Sequence, residues 1–69
     1  MRAEEIKEIR DNLKITQEKF AKILGTTVTT INRWENDKAS PSRLYVKELK
    51  EVRNNIGYYL HRQKQPENS

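Results

Sequence analysis

The sequence predicts an all-α domain of four helices, of which the last is long. Along most of the chain, apolar residues recur three or four positions apart, which is the spacing that lines one face of a helix. No two segments alternate apolar and polar residues in the way that paired strands require. A chain of 69 residues forms one domain with a single small core.

The composition limits what can hold such a small core together. The chain is 33% hydrophobic and 35% charged, with no cysteine and one histidine, His61. Cores of chains below roughly 70–80 residues rarely supply more than about 3–5 kcal/mol of stability without help. Since disulfides and a structural metal site are excluded, we expect tightly packed helices or a partner chain to complete the fold.

No segment is typical of a membrane or secreted protein. No apolar run approaches the roughly 18 residues that span a bilayer. The sequence begins Met1-Arg2 and continues into Glu4 and Glu5, which is not the pattern of a signal peptide. We therefore expect a cytoplasmic protein with no membrane partner.

The charge by itself does not identify a partner. The net charge is +4 and the isoelectric point about 9.6, which is compatible with nucleic-acid binding. Residues 1–38 carry eight basic and seven acidic side chains, whereas residues 39–69 carry six and three. The first half is therefore nearly neutral, and neither half contains a run of Lys and Arg.

The first helix is predicted over residues 3–13. Ile6, Ile9 and Leu13 are spaced three and four positions apart and form one apolar stripe. Acidic residues at helical spacing lie on the remaining surface, and we interpret them as a solvated face. They are Glu4, Glu5 and Glu8.

A second, short helix is predicted from its two ends. Thr16 suits the N-cap position, and Glu18 in the first turn is favoured by the helix dipole. Gly25 can take the left-handed conformation in which helices end. The apolar face of this helix is formed by Phe20, Ala21 and Leu24.

The third helix is predicted against the local propensity. Residues 26–31 read Thr-Thr-Val-Thr-Thr-Ile, six β-branched residues that favour a strand. A strand here would have no partner, whereas a helix over residues 28–35 with Thr27 as its cap buries Ile31 and Trp34. The sequence therefore favours the helix.

One long helix is predicted for the C-terminal part, from about residue 42 to 63. A loop rich in turn formers precedes it, and either Pro41 in the first turn or Ser42 as the cap can begin it. Gly57 disfavours helix and is the expected place for a bend or an end. The chain is thus expected to divide into a domain of residues 1–63 and a flexible tail of residues 64–69.

The sequence offers no arrangement for catalysis. It has no cysteine, no supported Ser-His-acid set and no Gly-rich phosphate loop, since Gly25 and Gly57 are its two glycines. His61 lies in a polar stretch without a second ligand residue, and we interpret it as a solvated surface side chain. We therefore predict that the protein is not an enzyme and needs no cofactor or metal ion.

The informative segment is residues 16–36, where two short helices flank a turn at Gly25. This is the helix-turn-helix arrangement. At about 100° per residue, the apolar Ile31 and Trp34 fall on one side of the third helix. The outward side carries Val28, Thr29, Asn32 and Arg33.

These outward side chains are suited to reading base edges in a DNA major groove. Arg can bond guanine with two hydrogen bonds, Asn can do the same with adenine, and the methyl groups of Val and Thr can contact the thymine methyl. In the alternative interpretation, they are ordinary solvent-facing residues of a capped helix. Their residue types alone do not decide between the two.

One motif runs across this segment. It reads Thr16-Gln17-x-x-Phe20-Ala21-x-x-Leu24-Gly25-x-x-x-x-x-Ile31-x-x-Trp34-Glu35-Asn36. It resembles the Cro/repressor (XRE-type) helix-turn-helix family, which comprises the lambdoid phage repressors and their bacterial relatives. The resemblance spans about residues 6–49 and implies a compact, lambda-repressor-like domain whose third helix enters the major groove of double-stranded DNA.

The resemblance also assigns roles to individual positions. Those that match base-facing positions are Val28, Thr29, Asn32 and Arg33. Those that match contacts to the DNA backbone are Gln17, Thr27, Thr30, Asn36, Lys38, Ser40 and Arg43. Arg10 and Glu35 match an ion pair that ties the first helix to the end of the third, and they are assigned to the scaffold.

Two features depart from the family pattern. Asp37 stands where the family usually has glycine, in a left-handed turn that aspartate tolerates at some cost. The base-facing set has fewer amides than that of the phage repressors, so part of the specificity is expected from methyl contacts or DNA shape. The function implied is that of a sequence-specific DNA-binding transcriptional regulator, most simply a repressor.

The C-terminal helix predicts a homodimer. Apolar residues from Tyr45 to Tyr59 are spaced four, three, four and three, as in a heptad seam. Up to Val52 the seam can close the core of its own chain, but beyond it no intrachain core is expected to remain. The predicted interface consists of Leu49, Val52, Ile56, Tyr59 and Leu60.

Two other functions stay open at this point. Trp34-Glu35 followed by Pro41 is also similar to antitoxin-type regulators, which bind their operator and a toxin partner, and the C-terminal aromatic residues could bind such a toxin. The second is a protein-interaction adaptor that keeps the fold without reading bases, which the nearly neutral first half allows.

Overall fold

The computed structural model describes residues 1–64, with side chains as far as His61. Within this part the chain is helical and contains no strand, which confirms the all-α prediction. The five helices are α1 (Ala3–Leu13), α2 (Gln17–Leu24), α3 (Val28–Glu35), α4 (Arg43–Asn54) and α5 (Ile56–Lys64). None of these described helices is long and apolar enough to cross a membrane. The predicted tail lies outside the described residues from residue 65 onward.

Three helices begin at a hydroxyl side chain, as the sequence predicts. Thr16 Oγ1 accepts a hydrogen bond from the Lys19 backbone N–H at 3.1 Å, which caps α2. Thr27 does the same for α3, and Ser42 for α4. Of the two starts considered for the C-terminal helix, the structure uses the cap at Ser42. Each cap satisfies a backbone N–H that would otherwise lack a partner in the first turn.

The β-branched run is helical from Val28 onward because tertiary packing outweighs its propensity. Ile31 and Trp34 are 0% and 3% exposed, and α3 packs against both α1 and α2. Burying these two large side chains is worth several kcal/mol, whereas the helix propensities of β-branched residues differ from that of alanine by only about 0.7 kcal/mol each at most.

The turn between α2 and α3 depends on Gly25. Its φ is +73°, and the N–H of the next residue, Thr26, donates to the Ala21 carbonyl at 2.9 Å. A β-carbon at Gly25 would meet no atom within 4 Å. The position therefore favours glycine because of its backbone conformation and not because space is short.

One core lies between the helices. Its large side chains with 0% exposure are Leu13, Phe20, Ile31 and Leu49. α1 packs against α3, α4 and α5, and α4 packs against α1, α2 and α5. The buried apolar residues are Ile6, Ile9, Leu13, Phe20, Ala21, Leu24, Ile31, Trp34, Leu49 and Val52.

The single long C-terminal helix that the sequence predicts is two helices in the structure. The break falls at Asn55, two residues before Gly57. Asn55 Nδ2 donates to the Glu51 carbonyl at 2.7 Å, while the Asn55 carbonyl accepts from the Tyr59 N–H at 3.2 Å. Asparagine ends α4 because its side chain competes with the backbone for hydrogen bonds, and the same residue starts the first turn of α5.

This break returns the chain to its own core. α5 packs against α1, and Ile56 and Tyr59 are partly buried against the core. The expectation that no intrachain core remains beyond Val52 was therefore wrong. Leu49 and Val52, which the sequence placed at a dimer interface, are 0% and 2% exposed in the single chain.

Candidate nucleic-acid interface

An aromatic side chain of α4, Tyr45, contacts both the turn between α2 and α3 and α3 itself. The Tyr45 hydroxyl donates to the Gly25 carbonyl at 3.5 Å. The Tyr45 ring meets Trp34 edge to face, with 5.2 Å between centroids. Tyr45 thus links the start of α4 to the turn and to α3, a role that its apolar spacing alone does not reveal.

The outward face of α3 carries the four residues that the sequence expects to face bases. Val28 is 44% exposed, and Thr29, Asn32 and Arg33 are exposed as well. On the opposite face, Ile31 and Trp34 hold the helix in place. The face offers one guanidinium, one carboxamide, one hydroxyl and several methyl groups.

The residues expected to contact the DNA backbone differ in how free their polar atoms are. The hydroxyls of Thr27 and Thr30 lie 3.0 Å apart in a hydrogen bond. Asn36 Nδ2 donates to the Asn32 carbonyl at 2.8 Å, so its nitrogen is used within the helix end. The structure leaves three other side chains exposed at the end of α3 and the start of α4, and these are Lys38, Ser40 and Arg43.

Lys38 lies beside the end of α3. Its backbone N–H donates to the Arg33 carbonyl at 2.8 Å, and the N–H of Asp37 donates to the Trp34 carbonyl at 3.2 Å. These two bonds form the Schellman arrangement, in which the residue after the helix takes the left-handed conformation. Asp37 occupies that position with φ +60°.

Arg10 and Glu35 form a bidentate ion pair between α1 and the end of α3. Arg10 Nε and Nη2 donate to the carboxylate at 2.7 Å and 2.9 Å. Arg10 Nη1 also donates to the Ile15 carbonyl at 3.0 Å. The side chain of Glu35 is 1% exposed and that of Arg10 18%, so this pair is largely desolvated and is part of the scaffold.

The surroundings of Glu35 keep its carboxyl group ionised. Burial by itself would raise the pKa, but hydrogen bonds from Arg10 and Gln17, with the charges of Arg10 and Lys7, hold the pKa of Glu35 below its ordinary value. The same pair raises the pKa of Arg10. The pair is therefore charged at neutral pH.

Gln17, which the resemblance assigns to the DNA backbone, is half-buried and bonded inside the protein. Its Nε2 donates to Glu35 Oε1 at 3.0 Å, and its Oε1 accepts from Asn32 Nδ2 at 3.4 Å. These bonds are not predictable from the residue types alone. One signal was present, because Gln17 precedes Ala21 by four residues and so shares the α2 face that crosses α3.

The described geometry is thus two short helices around a left-handed glycine, with an outward polar face on the second. A family model for helix-turn-helix domains, HTH_3, matches residues 6–56. The chain belongs to this helix-turn-helix family. The resemblance to Cro/repressor domains is therefore confirmed.

The family match identifies the position of the recognition helix. In a helix-turn-helix domain, the helix after the turn is the recognition helix, so α3 has that position here. The chain is accordingly a DNA-binding helix-turn-helix domain of the regulator type. Neither the curated proteins nor the solved structures give a significant match to it.

Proposed function

We propose that this helix-turn-helix domain is a sequence-specific transcriptional repressor that acts in the cytoplasm by placing α3 in the major groove of its operator. The observation that carries the proposal is the separation of the two faces of α3. Ile31 and Trp34 are buried, while all four side chains on the outward face are exposed and have the chemistry of base recognition.

Each outward side chain has a base edge that it fits. Arg33 can donate two hydrogen bonds to guanine, and Asn32 can bond the N6 and N7 atoms of adenine. The methyl groups of Val28 and Thr29 suit the thymine methyl group. With only two hydrogen-bonding residues of this kind, we expect part of the specificity to come from DNA shape.

Contacts to phosphates are proposed for the exposed side chains around α3. Lys38 and Arg43 supply positive charge, and Ser40 supplies a hydroxyl donor. Thr27, Thr30 and Asn36 already use polar atoms within α3, so we expect them to contribute less. Repression follows most simply, because a protein bound across a promoter excludes the polymerase without any further contact.

A homodimer is proposed on a two-fold operator with half-sites about 34 Å apart. Leu49 and Val52 belong to the core of the single chain, so the contact is assigned to the outer side of α5. There Tyr58 is 57% exposed and Leu60 is half-buried. Ile56 and Tyr59 can contribute only their exposed edges, since they also pack against the core.

The experiment that tests the function is selection of binding sites from a random duplex library at stated salt. We expect a palindrome to be enriched, which would support both sequence reading and dimer binding. Enrichment of no sequence over random DNA would overturn the proposal and would favour the adaptor function. A toxin that co-purifies with the chain would instead assign the domain to an antitoxin.

A further inference from the structure

A continuous series of hydrogen bonds joins the buried ion pair to the outward face of α3. Arg10 holds the Glu35 carboxylate through two N–H groups at 2.7 and 2.9 Å. Gln17 Nε2 donates to the same carboxylate at 3.0 Å. Asn32 Nδ2 then donates to Gln17 Oε1 at 3.4 Å. The series runs from a side chain that is 1% exposed to one that is exposed to solvent.

The order of donors and acceptors in this series follows from the charge at its buried end. An ionised carboxylate can only accept hydrogen bonds, so the amide of Gln17 must turn its nitrogen toward Glu35. The carbonyl oxygen of Gln17 then faces the other way, toward Asn32. Because that oxygen also only accepts, Asn32 must present its own nitrogen to Gln17.

Hydrogen bonds from two side chains keep Glu35 in its ionised form. It receives two hydrogen bonds from Arg10 and one from Gln17. The net effect of its surroundings is a pKa below the ordinary value. The charge that sets the order is therefore present throughout the neutral pH range.

We propose that Gln17 is a positioning residue that fixes which way round the Asn32 amide faces the major groove. A free asparagine side chain can rotate its amide and exchange its oxygen with its nitrogen. In this chain, the bond to Gln17 directs Nδ2 toward α2 and leaves Oδ1 turned away from it. The inference rests on the proposed function, since it concerns the base that Asn32 reads.

The fixed orientation selects a base with an exocyclic amino group in the groove. Adenine offers N6–H as a donor for Oδ1 and N7 as an acceptor for the remaining Nδ2 hydrogen. Guanine offers two acceptors, O6 and N7, and therefore has no donor for Oδ1. We infer that Gln17 makes Asn32 an adenine reader, because it holds the amide with Oδ1 available to N6–H and Nδ2 available to N7, and a turned amide would lose both bonds.

The test is the variant Gln17→Met, which keeps the length of the side chain and removes both hydrogen bonds. We expect the preference for adenine over guanine at the base pair facing Asn32 to fall by about tenfold. The preference at the base pair facing Arg33 should not change. Binding is measured by titration of duplexes that differ from the selected site at one base pair.

A double-mutant cycle separates this role from a direct contact of Gln17 with phosphate. In the background of Asn32→Ala, Gln17→Met should cause no further loss of base preference, because the residue it positions is gone. A uniform loss on all duplexes, equal in both backgrounds, would overturn the proposal. Should Gln17→Met fail to fold, Gln17→Leu is tested in the same way.

A measurement without DNA keeps the outcome independent of the proposed function. The side-chain NH₂ resonances of Asn32 are followed by ¹⁵N NMR in the wild type and in Gln17→Met. We expect them to shift, while those of Asn12, an exposed residue of α1, stay in place. Unchanged Asn32 resonances would overturn the positioning role, even where the selection experiment finds an operator. A shift without any preferred duplex would retain the role and overturn the DNA function alone.

Discussion

The most consequential single residue of the scaffold is Glu35. Its carboxylate is the one buried charged group within the described part of the chain, and its hydrogen bonds come from α1 and from the start of α2. Removing one partner of a desolvated ion pair leaves the other without compensation, which is costly. In a domain of this size, the cost is a large share of the total stability.

We expect Glu35→Gln to lower the free energy of unfolding at pH 7 by about 2–3 kcal/mol. The folded pKa of Glu35 is below the ordinary value, so its contribution is present above the pKa of the unfolded chain. It is lost as the pH falls from about 4.3 through the folded value. Urea denaturation of both proteins across this range measures the effect.

Glu8→Gln is the matched control, because Glu8 is an exposed residue of α1. Its effect on the free energy of unfolding should stay within about 0.5 kcal/mol. The difference between wild type and Glu35→Gln should shrink as the solution becomes acidic. A difference that stays constant from neutral to acidic pH would show that the charge of Glu35 does not supply the stability.

Asp37 lowers the stability of the folded chain through its backbone conformation. Its φ of +60° is a conformation that a side chain with a β-carbon adopts only with strain. We expect Asp37→Gly to raise the free energy of unfolding by about 1 kcal/mol, measured by thermal denaturation. Asp37→Ala removes the same charge but keeps a β-carbon, so it should give no such increase. Equal stabilisation by both variants would assign the effect to charge.

At the scale of the elements, we expect α3 to read bases and the residues after it to contact phosphates. Arg33 lies on the outward face of α3, whereas Lys38 follows its end. Arg33→Ala should weaken binding to the selected duplex by about 1–3 kcal/mol and relax the preference at one base pair. Fluorescence titrations with single-base variants of the duplex measure both effects.

Lys38→Ala is the counterpart, because a phosphate contact is independent of sequence. It should weaken binding to all duplexes alike and reduce the slope of log affinity against log salt by about 1. Equal losses for Arg33→Ala on the selected and on random duplexes would contradict the reading role of Arg33.

The start of α5 gives a prediction about the glycine that the sequence had marked as a helix end. Gly57 lies within α5, and a β-carbon there would meet no atom within 4 Å. Gly57→Ala should therefore raise the free energy of unfolding by about 0.5–1 kcal/mol. Gly25→Ala is the opposite case, because its φ of +73° predicts a loss of about 1 kcal/mol. Two changes of the same sign in urea denaturation would contradict this assignment.

At the scale of the whole molecule, the burial of the apolar seam changes what a second chain could contact. Leu49 and Val52 complete the core of one chain, with Ile56 and Tyr59 packed against it. Among the described side chains of α5, Tyr58 and the exposed part of Leu60 are the apolar groups left for a second chain, and small contacts give weak association. We therefore expect the two copies to associate mainly when both are bound to the same operator.

Stoichiometry on DNA tests this expectation. Two chains should bind a palindromic duplex cooperatively, and Tyr58→Gln should reduce the cooperativity without changing the affinity for a single half-site. Leu44→Gln is the matched control, since Leu44 is 77% exposed but lies at the start of α4. Independent binding of the two half-sites by the wild type, in sedimentation or gel-shift titration, would refute the dimer through α5.

Local signals in the sequence determined the helices and the helix-turn-helix. The threonine and serine caps, the left-handed Gly25 and the apolar spacing of α1 to α3 act within a few residues of one another, so they can be read from the chain alone. The outward set on α3 also follows from the helical period, because Ile31 and Trp34 fix which side is buried.

Only the tertiary structure decided what depends on how the helices meet. The sequence could not show that Asn55 and not Gly57 divides the C-terminal segment, because the gain from packing α5 on α1 has no local signal. Nor could it show that Gln17 joins Glu35 to Asn32, since that bond requires three separate segments to converge. The apolar spacing of the C-terminal segment predicts that one helix face is buried, but it does not show whether the same chain or a second chain covers that face. The fold of the chain determines that Ile56 and Tyr59, beyond Val52, also pack against its own core.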